Sequence, residues 1–174
     1  MRAKRLASRT RSPRKALLLF TWCWLISLSP ALLASAITID GKLDEPEWQS
    51  ARVWDQYVES IPFSLAEPKH TQKVLILEDE KGMYFGFISD QAKETVRTNQ
   101  HQRDNERANS DKVGISIDFD GDGLTGYGFS VSAGGSITDT IYRNENQGNT
   151  DWDADWDSAT FVGKEAWFAE VFIP

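Results

Sequence analysis

The 174-residue chain holds one cysteine, two histidines and two methionines. The single thiol, Cys23, lies inside an apolar run near the N-terminus, so residues 37–174 contain no cysteine at all. A disulfide framework, thiol catalysis and cysteine-based metal sites are excluded over that stretch. His70 and His101 stand far apart in sequence, without the short spacing of a metal-ligand pair. There is no serine-centred nucleophile motif and no glycine-rich phosphate loop after a strand. Paired carboxylates, as glycoside hydrolysis needs, are plentiful in an acid-rich chain and so discriminate nothing. The expectation is a protein without catalytic function. Long hydrophobic runs are missing too. The apolar stretch from Ala16 to Leu28 is short for a membrane span of about 20 residues, and Ser27, Ser29 and Pro30 interrupt it.

What the chain does have is an uneven charge. Its 19 Lys and Arg against 26 Asp and Glu give a formal net charge of −7. Residues 1–15 carry seven of the basic side chains (Arg2, Lys4, Arg5, Arg9, Arg11, Arg14, Lys15) and no acid. The apolar run follows, and then Ala34-Ser35-Ala36, with small residues at −3 and −1 of a cleavage point. Basic start, apolar middle and A-x-A end read as a secretory signal peptide over residues 1–36. No Arg-Arg pair points to a twin-arginine route. Residues 37–174 then hold twelve basic residues against all 26 acids, a charge of −14. So acidic a body excludes nucleic acid as a partner, because phosphates must be met by a basic patch. Export places the protein in the periplasm, at the outer membrane or outside the cell.

Beyond residue 37 the pattern is of short runs with period two. Val74–Leu77 and Met83–Ile88 flank a charged loop ending in Gly82, a hairpin signature. Val113–Phe119, Tyr127–Ser132, Ile137–Tyr142 and Trp167–Ile173 follow, separated by turn residues. Such spacing predicts an all-β, antiparallel β-sandwich of jelly-roll-like kind. One short helix is predicted at the start, where Asp44 precedes Pro46 and Glu47, with Trp48 as a core plug. Residues 90–110 read as an irregular segment.

Two acidic groups invite a cation. Asp118, Asp120 and Asp122 with Gly123 match the first half of a calcium loop, but position 12 is Phe129 rather than an acid, so an EF-hand is rejected. A different calcium loop and a metal-free acidic turn both remain open. In Asp151–Asp157 the four acids alternate with Trp152, Ala154 and Trp156, so an extended chain places acids on one face and indoles on the other. Four carboxylates in a row repel unless solvated or bridged by a hard, oxygen-liking ion such as Ca²⁺. Asp151, Asp153 and Asp155 join Asp118, Asp120 and Asp122 as candidate metal ligands. Trp152 and Trp156 are either a stacking platform for a sugar ring or plugs of the sandwich.

Four blocks, in order, resemble carbohydrate-binding module family 9-like domains. They are Ile39-Asp-Gly-Lys-Leu-Asp-Glu-Pro-Glu-Trp48, Tyr84–Asp90, Ser110–Asp118 and Ala166–Pro174. The resemblance implies a calcium-containing β-sandwich that binds sugar ends between two tryptophans, as an accessory domain of polysaccharide-degrading proteins. Sugar-binding members carry a Trp three residues before, and a Glu three after, the Asp matching Asp111; here those places hold Ala108 and Gly114. Stacking would then fall to Trp152 and Trp156, with Arg103 and Asp104 as polar partners. The similarity is closer to a branch at the N-terminus of larger bacterial envelope proteins, where a Trp-Asp-x-x-Trp matches Trp152–Trp156 and an outer-membrane β-barrel region follows. A strongly apolar strand ending at Pro174 agrees with a module, 37–174, whose C-terminal part is truncated. The expected function is a secreted, calcium-stabilised carbohydrate-binding module. The alternative is a structural or interaction domain that has lost sugar binding.

Overall fold

A computed structural model describes residues 37–105, 108–144 and 147–174. The signal peptide and the domain boundary at residue 36 lie outside the described residues. Within them the chain is almost entirely β, as expected. A five-stranded antiparallel sheet is built from β1 (Arg52–Trp54), β2 (Gln72–Asp79), β3 (Gly82–Ser89), β9 (Trp167–Ile173) and β8 (Asp157–Val162), in that order. A four-stranded sheet runs β4 (Lys112–Ile117), β5 (Thr125–Ser132), β6 (Ile137–Arg143), β7 (Gln147–Asn149).

The predicted hairpin forms with register Asp79↔Gly82, and the Asp79 Oδ1 accepts the N–H groups of Lys81 and Gly82 to close its two-residue turn. Alternation decides which side chains enter the core. Val74, Phe85, Phe87, Trp167, Ala169, Val171 and Ile173 of the first sheet meet Val113, Phe129 and Val131 of the second. Each large side chain removed from water there contributes roughly 1.5–3 kcal/mol before entropy is counted. The predicted N-terminal helix is a single 3-10 turn, Pro46–Ser50. Its cap is Glu45 rather than Asp44, and no side chain caps it; Trp48 is buried as expected. A second 3-10 turn, Lys93–Thr95, interrupts the irregular segment.

The N-terminal segment is tied across the five-stranded sheet by Glu170 of β9. Its Oε2 accepts the N–H groups of Asp40 and Gly41, each at 2.8 Å. Gly41 has φ +87°, and a Cβ there would lie 2.6 Å from the Thr160 carbonyl carbon of β8, so only glycine permits this approach.

Candidate functional site: the outer face of the four-stranded sheet

The loop from Asp151 to Asp157 alternates as the sequence predicts. Asp151, Asp153, Asp155 and Asp157 are exposed, while Trp152 and Ala154 are half-buried and Trp156 is 8% exposed. The indole face turns into the sandwich. Trp156 meets Phe129 edge-on with ring centres 5.5 Å apart, and Trp152 packs on Tyr127 at 5.1 Å and on Phe129 at 6.0 Å. Of the two alternatives for the indoles, these contacts fit plugs of the sandwich. Ring faces that pack against β5 close the core and are not offered to a sugar.

Arg103 and Asp104, expected as polar sugar partners, and Asp153, expected as a metal ligand, do come together. They surround Asp139, an acid of β6 that sequence reasoning missed. Asp139 is fully buried. It accepts from Arg103 Nε at 3.1 Å, from Arg103 Nη2 at 2.6 Å and from the Ala154 N–H at 2.5 Å. Arg103 Nε lies 3.0 Å from Asp153 and 3.6 Å from Asp104, and the Asp139 N–H donates to Asp104. Hydrogen bonding to Asp139 raises the Arg103 pKa. Burial, with the neighbouring charge of Asp139, raises that of Asp104. The signal was in the strand: Asp139 falls on the row of Ile137 and Ile141, an acid on an apolar face.

Each expected calcium position can be tested against these contacts. Asp118 is exposed and folds back on its own hairpin, accepting from the N–H groups of Asp120, Gly121 and Gly123. Those bonds, led by that from Gly123, lower its pKa. Asp122 accepts from Leu124 in the same way. Asp118 and Asp122 thus turn their carboxylates to the backbone of the turn, and Asp120 enters it through its N–H. Asp151 and Asp155 remain on the exposed row without joining a cluster. Among the described residues, Asp104, Asp139 and Asp153 are the one group of three acids close enough to share an ion. Three carboxylates suit Ca²⁺, but Arg103 already lies in hydrogen-bonding or ion-pairing distance of all three. As arranged, the set fits a guanidinium and not a second cation.

The other side of the four-stranded sheet has a different chemistry. Its outward positions pair across the strands as Gly114–Ser130–Thr138, Ser116–Gly128–Thr140 and Gly126–Tyr142–Gly148. Glycine, serine and threonine leave a low, hydroxyl-rich floor with Tyr142 as its one aromatic ring. A Cβ on Gly128 would come within 2.8 Å of the Tyr142 ring, and one on Gly148 within 3.3 Å. The ring therefore lies over the strands rather than standing up from them, and the glycines make that possible. A hollow of about 340 Å³ between Gly114, Ser130, Thr140 and Tyr142 opens on one side of it. A second, of about 300 Å³, is lined by Ser116, Asp118, Thr125 and Tyr142. A flat aromatic ring among hydroxyls is an arrangement that binds the apolar face of a pyranose and its ring of hydroxyl groups. Glycine inside three strands was the signal for it.

No protein-family model matches the chain, and no curated protein does. Solved structures do resemble it. A carbohydrate-binding module of family 9 from Caldicellulosiruptor kristjanssonii in complex with glucose aligns at TM-score 0.55 and 14% identity, covering 80% of this chain and 64% of that one. The same kind of module in complex with cellotriose aligns at TM-score 0.52 and 14% identity, with 80% and 63% covered. This chain therefore spans a little under two thirds of the solved chains it matches. Its two antiparallel sheets have the fold of carbohydrate-binding module family 9.

Proposed function

We propose that the protein is a non-catalytic carbohydrate-binding module that receives a neutral saccharide on the outer face of the four-stranded sheet. The observation that carries this reading is the Tyr142 ring laid over Gly128 and Gly148 among Ser116, Ser130 and Thr140. Likeness of fold to modules solved with glucose and cellotriose supports the ligand class. The proposal includes export, supported by the basic, apolar and small-residue order of residues 1–36, and a place at the N-terminus of a larger envelope or polysaccharide-degrading protein.

Titration calorimetry with cellotriose and other neutral oligosaccharides tests it. Wild type binds, and Tyr142→Ala binds roughly tenfold more weakly, as loss of one stacked ring implies. A folded protein giving no heat with any neutral sugar ends this reading.

One observation favours the second reading, an interaction domain. The loop closed by hydrogen bonds from the Glu59 N–H to Ala66 and from the Leu65 N–H to Glu59 leaves Ile61 90% and Phe63 81% exposed. Two large apolar side chains at one loop tip offer a partner a surface to cover.

A further inference from the structure

At one end of the sandwich, where β2, β4 and β9 begin, a groove of about 820 Å³ opens beside Gln72, Lys112 and Trp167. Its charge is opposite to that of the protein. Lys69, Arg97 and Lys112 line it together with His70, whereas Asp111 is its one acid, out of 26 in the chain. Asp111 is also already occupied. Its carboxylate accepts from the Arg97 N–H at 3.0 Å, from Arg97 Nε at 2.9 Å, from Arg97 Nη2 and from Gln91 Nε2 at 2.9 Å. Burial works against its charge, but these bonds hold its pKa below the usual carboxylate range. The Arg97 guanidinium is fixed in turn, its Nη1 donating to Asn109 at 2.8 Å. Arg97 and Asp111 therefore cancel. Lys69 and Lys112 remain, exposed and without an ion pair among the described residues.

Two ammonium groups without ion pairs line one groove of a strongly acidic body, a local excess of positive charge that an anion complements. The groove also offers uncharged hydrogen-bonding groups. The Gln91 amide is held by donating to the Thr95 carbonyl and to Asp111, which leaves its own carbonyl as an acceptor. His70 and Ser110 stand beside it, and Ile61 supplies an apolar rim. Hydroxyl-matching groups around a pair of cations fit a sugar that carries a carboxylate better than they fit a bare anion.

We propose that this groove binds an acidic saccharide, a uronate residue whose carboxylate is taken by Lys69 and Lys112; Lys112 also borders the hollow beside Tyr142, so the two sites adjoin through it. The proposal rests on the carbohydrate reading above for its sugar component. Calorimetry of the protein with trigalacturonate, its methyl ester and a glutamate oligomer tests it, beside Lys69→Gln/Lys112→Gln and Tyr142→Ala. Trigalacturonate binds, added salt weakens it, and the uncharged ester binds at least tenfold more weakly. The double lysine variant loses about tenfold for trigalacturonate, and Lys69→Gln alone, at a residue that does not line the hollow beside Tyr142, loses part of it and keeps the wild-type affinity for cellotriose. Equal binding of acid and ester, or an unchanged double variant, overturns the proposal. A glutamate oligomer bound as tightly as trigalacturonate overturns its sugar component. Loss of cellotriose binding in Tyr142→Ala reports only on the first site, so the two readings fail independently.

Discussion

Asp139 and Glu170 occupy positions of the same kind: each is an acid in mid-strand, at 0% exposure, on a row whose neighbours two residues away are apolar. Their partners differ. Asp139 has Arg103 in bidentate contact, so its charge is matched. Glu170 has only the two N–H groups of Asp40 and Gly41 on Oε2, and its Oε1 is buried without a partner. Among the described residues no cation pairs with it, Lys42 acting on it only from beyond ion-pair distance. Burial, with Asp40 and Glu45 adding like charge, pushes its pKa up to about 7. One buried acid has a cation against it, and the other has none and its pKa rises to about 7 instead. The pair shows that a fold tolerates a buried carboxylate by either route, Asp139 between the sheets and Glu170 under the N-terminal segment, with opposite consequences for mutation and for pH.

The largest effect expected from breaking this contrast comes at Arg103. Arg103→Ala strands Asp139 in the core with Asp104 and Asp153 beside it, and uncompensated buried charges of this kind cost about 3–5 kcal/mol. Urea unfolding checks it, with Arg103→Lys recovering part of the loss because an ammonium cannot reproduce the two-pronged contact. A loss below about 1 kcal/mol, the range of an exposed ion pair, would mean that the cluster is no more than surface charge.

Next in size is the pH dependence set by Glu170. Its folded pKa, about 7, lies above its ordinary value of 4.5. The stability it contributes is therefore complete below pH 4.5 and is lost as pH rises through 7, a change of about 3 kcal/mol. Asp104, also raised, adds in the same direction. Asp111 and Asp118, both lowered, act the other way, but below this window. Glu170→Gln keeps an oxygen for the two N–H groups and removes the titration. Its stability should exceed that of wild type at pH 8 and match it below pH 4.5, by unfolding midpoints. Equal slopes in the two proteins would show that Glu170 is charged and matched throughout.

Much of this frame is legible in the residues themselves. The rows Val113-Ile115-Ile117 and Trp167-Ala169-Val171-Ile173 alternate because one face must leave water, so β4 and β9 can be read directly. β1 and β7 cannot, being three residues each: Gln147-Gly-Asn149 has no apolar side chain and exists only because β6 offers it an edge. β8, Asp157–Val162, mixes polar and apolar residues without a clean period and is fixed by pairing with β9. The acidic loop was legible in its alternation but not in its direction. Nothing within Asp151–Asp157 says which face meets β5; Phe129, over twenty residues away, decides it. Arg103 and Asp139 likewise meet across 36 positions. Tyr142 becomes a platform only once Gly128 and Gly148 are placed beside it by pairing.

The smallest effect expected is also the most discriminating: removal of divalent ions. A calcium ion bound only to the folded state, at a hundred times its dissociation constant, would add about 2.7 kcal/mol. For a domain of this size, that moves the melting temperature by roughly 5–10 °C. Its best ligands here are Asp104, Asp139 and Asp153, and Arg103 already supplies positive charge at 2.6 Å from Asp139 and 3.0 Å from Asp153. An ion entering that space would have to drive out a guanidinium whose own pKa is raised by the same carboxylates. EDTA should therefore shift the melting temperature by less than about 1 °C in the wild type. In Arg103→Ala, with three acids left unmatched, added CaCl₂ should restore part of the lost stability, because the ion then takes the place of the side chain. A fall of several degrees in wild type on adding EDTA would reverse the order, making calcium the resident counter-ion and Arg103 its substitute.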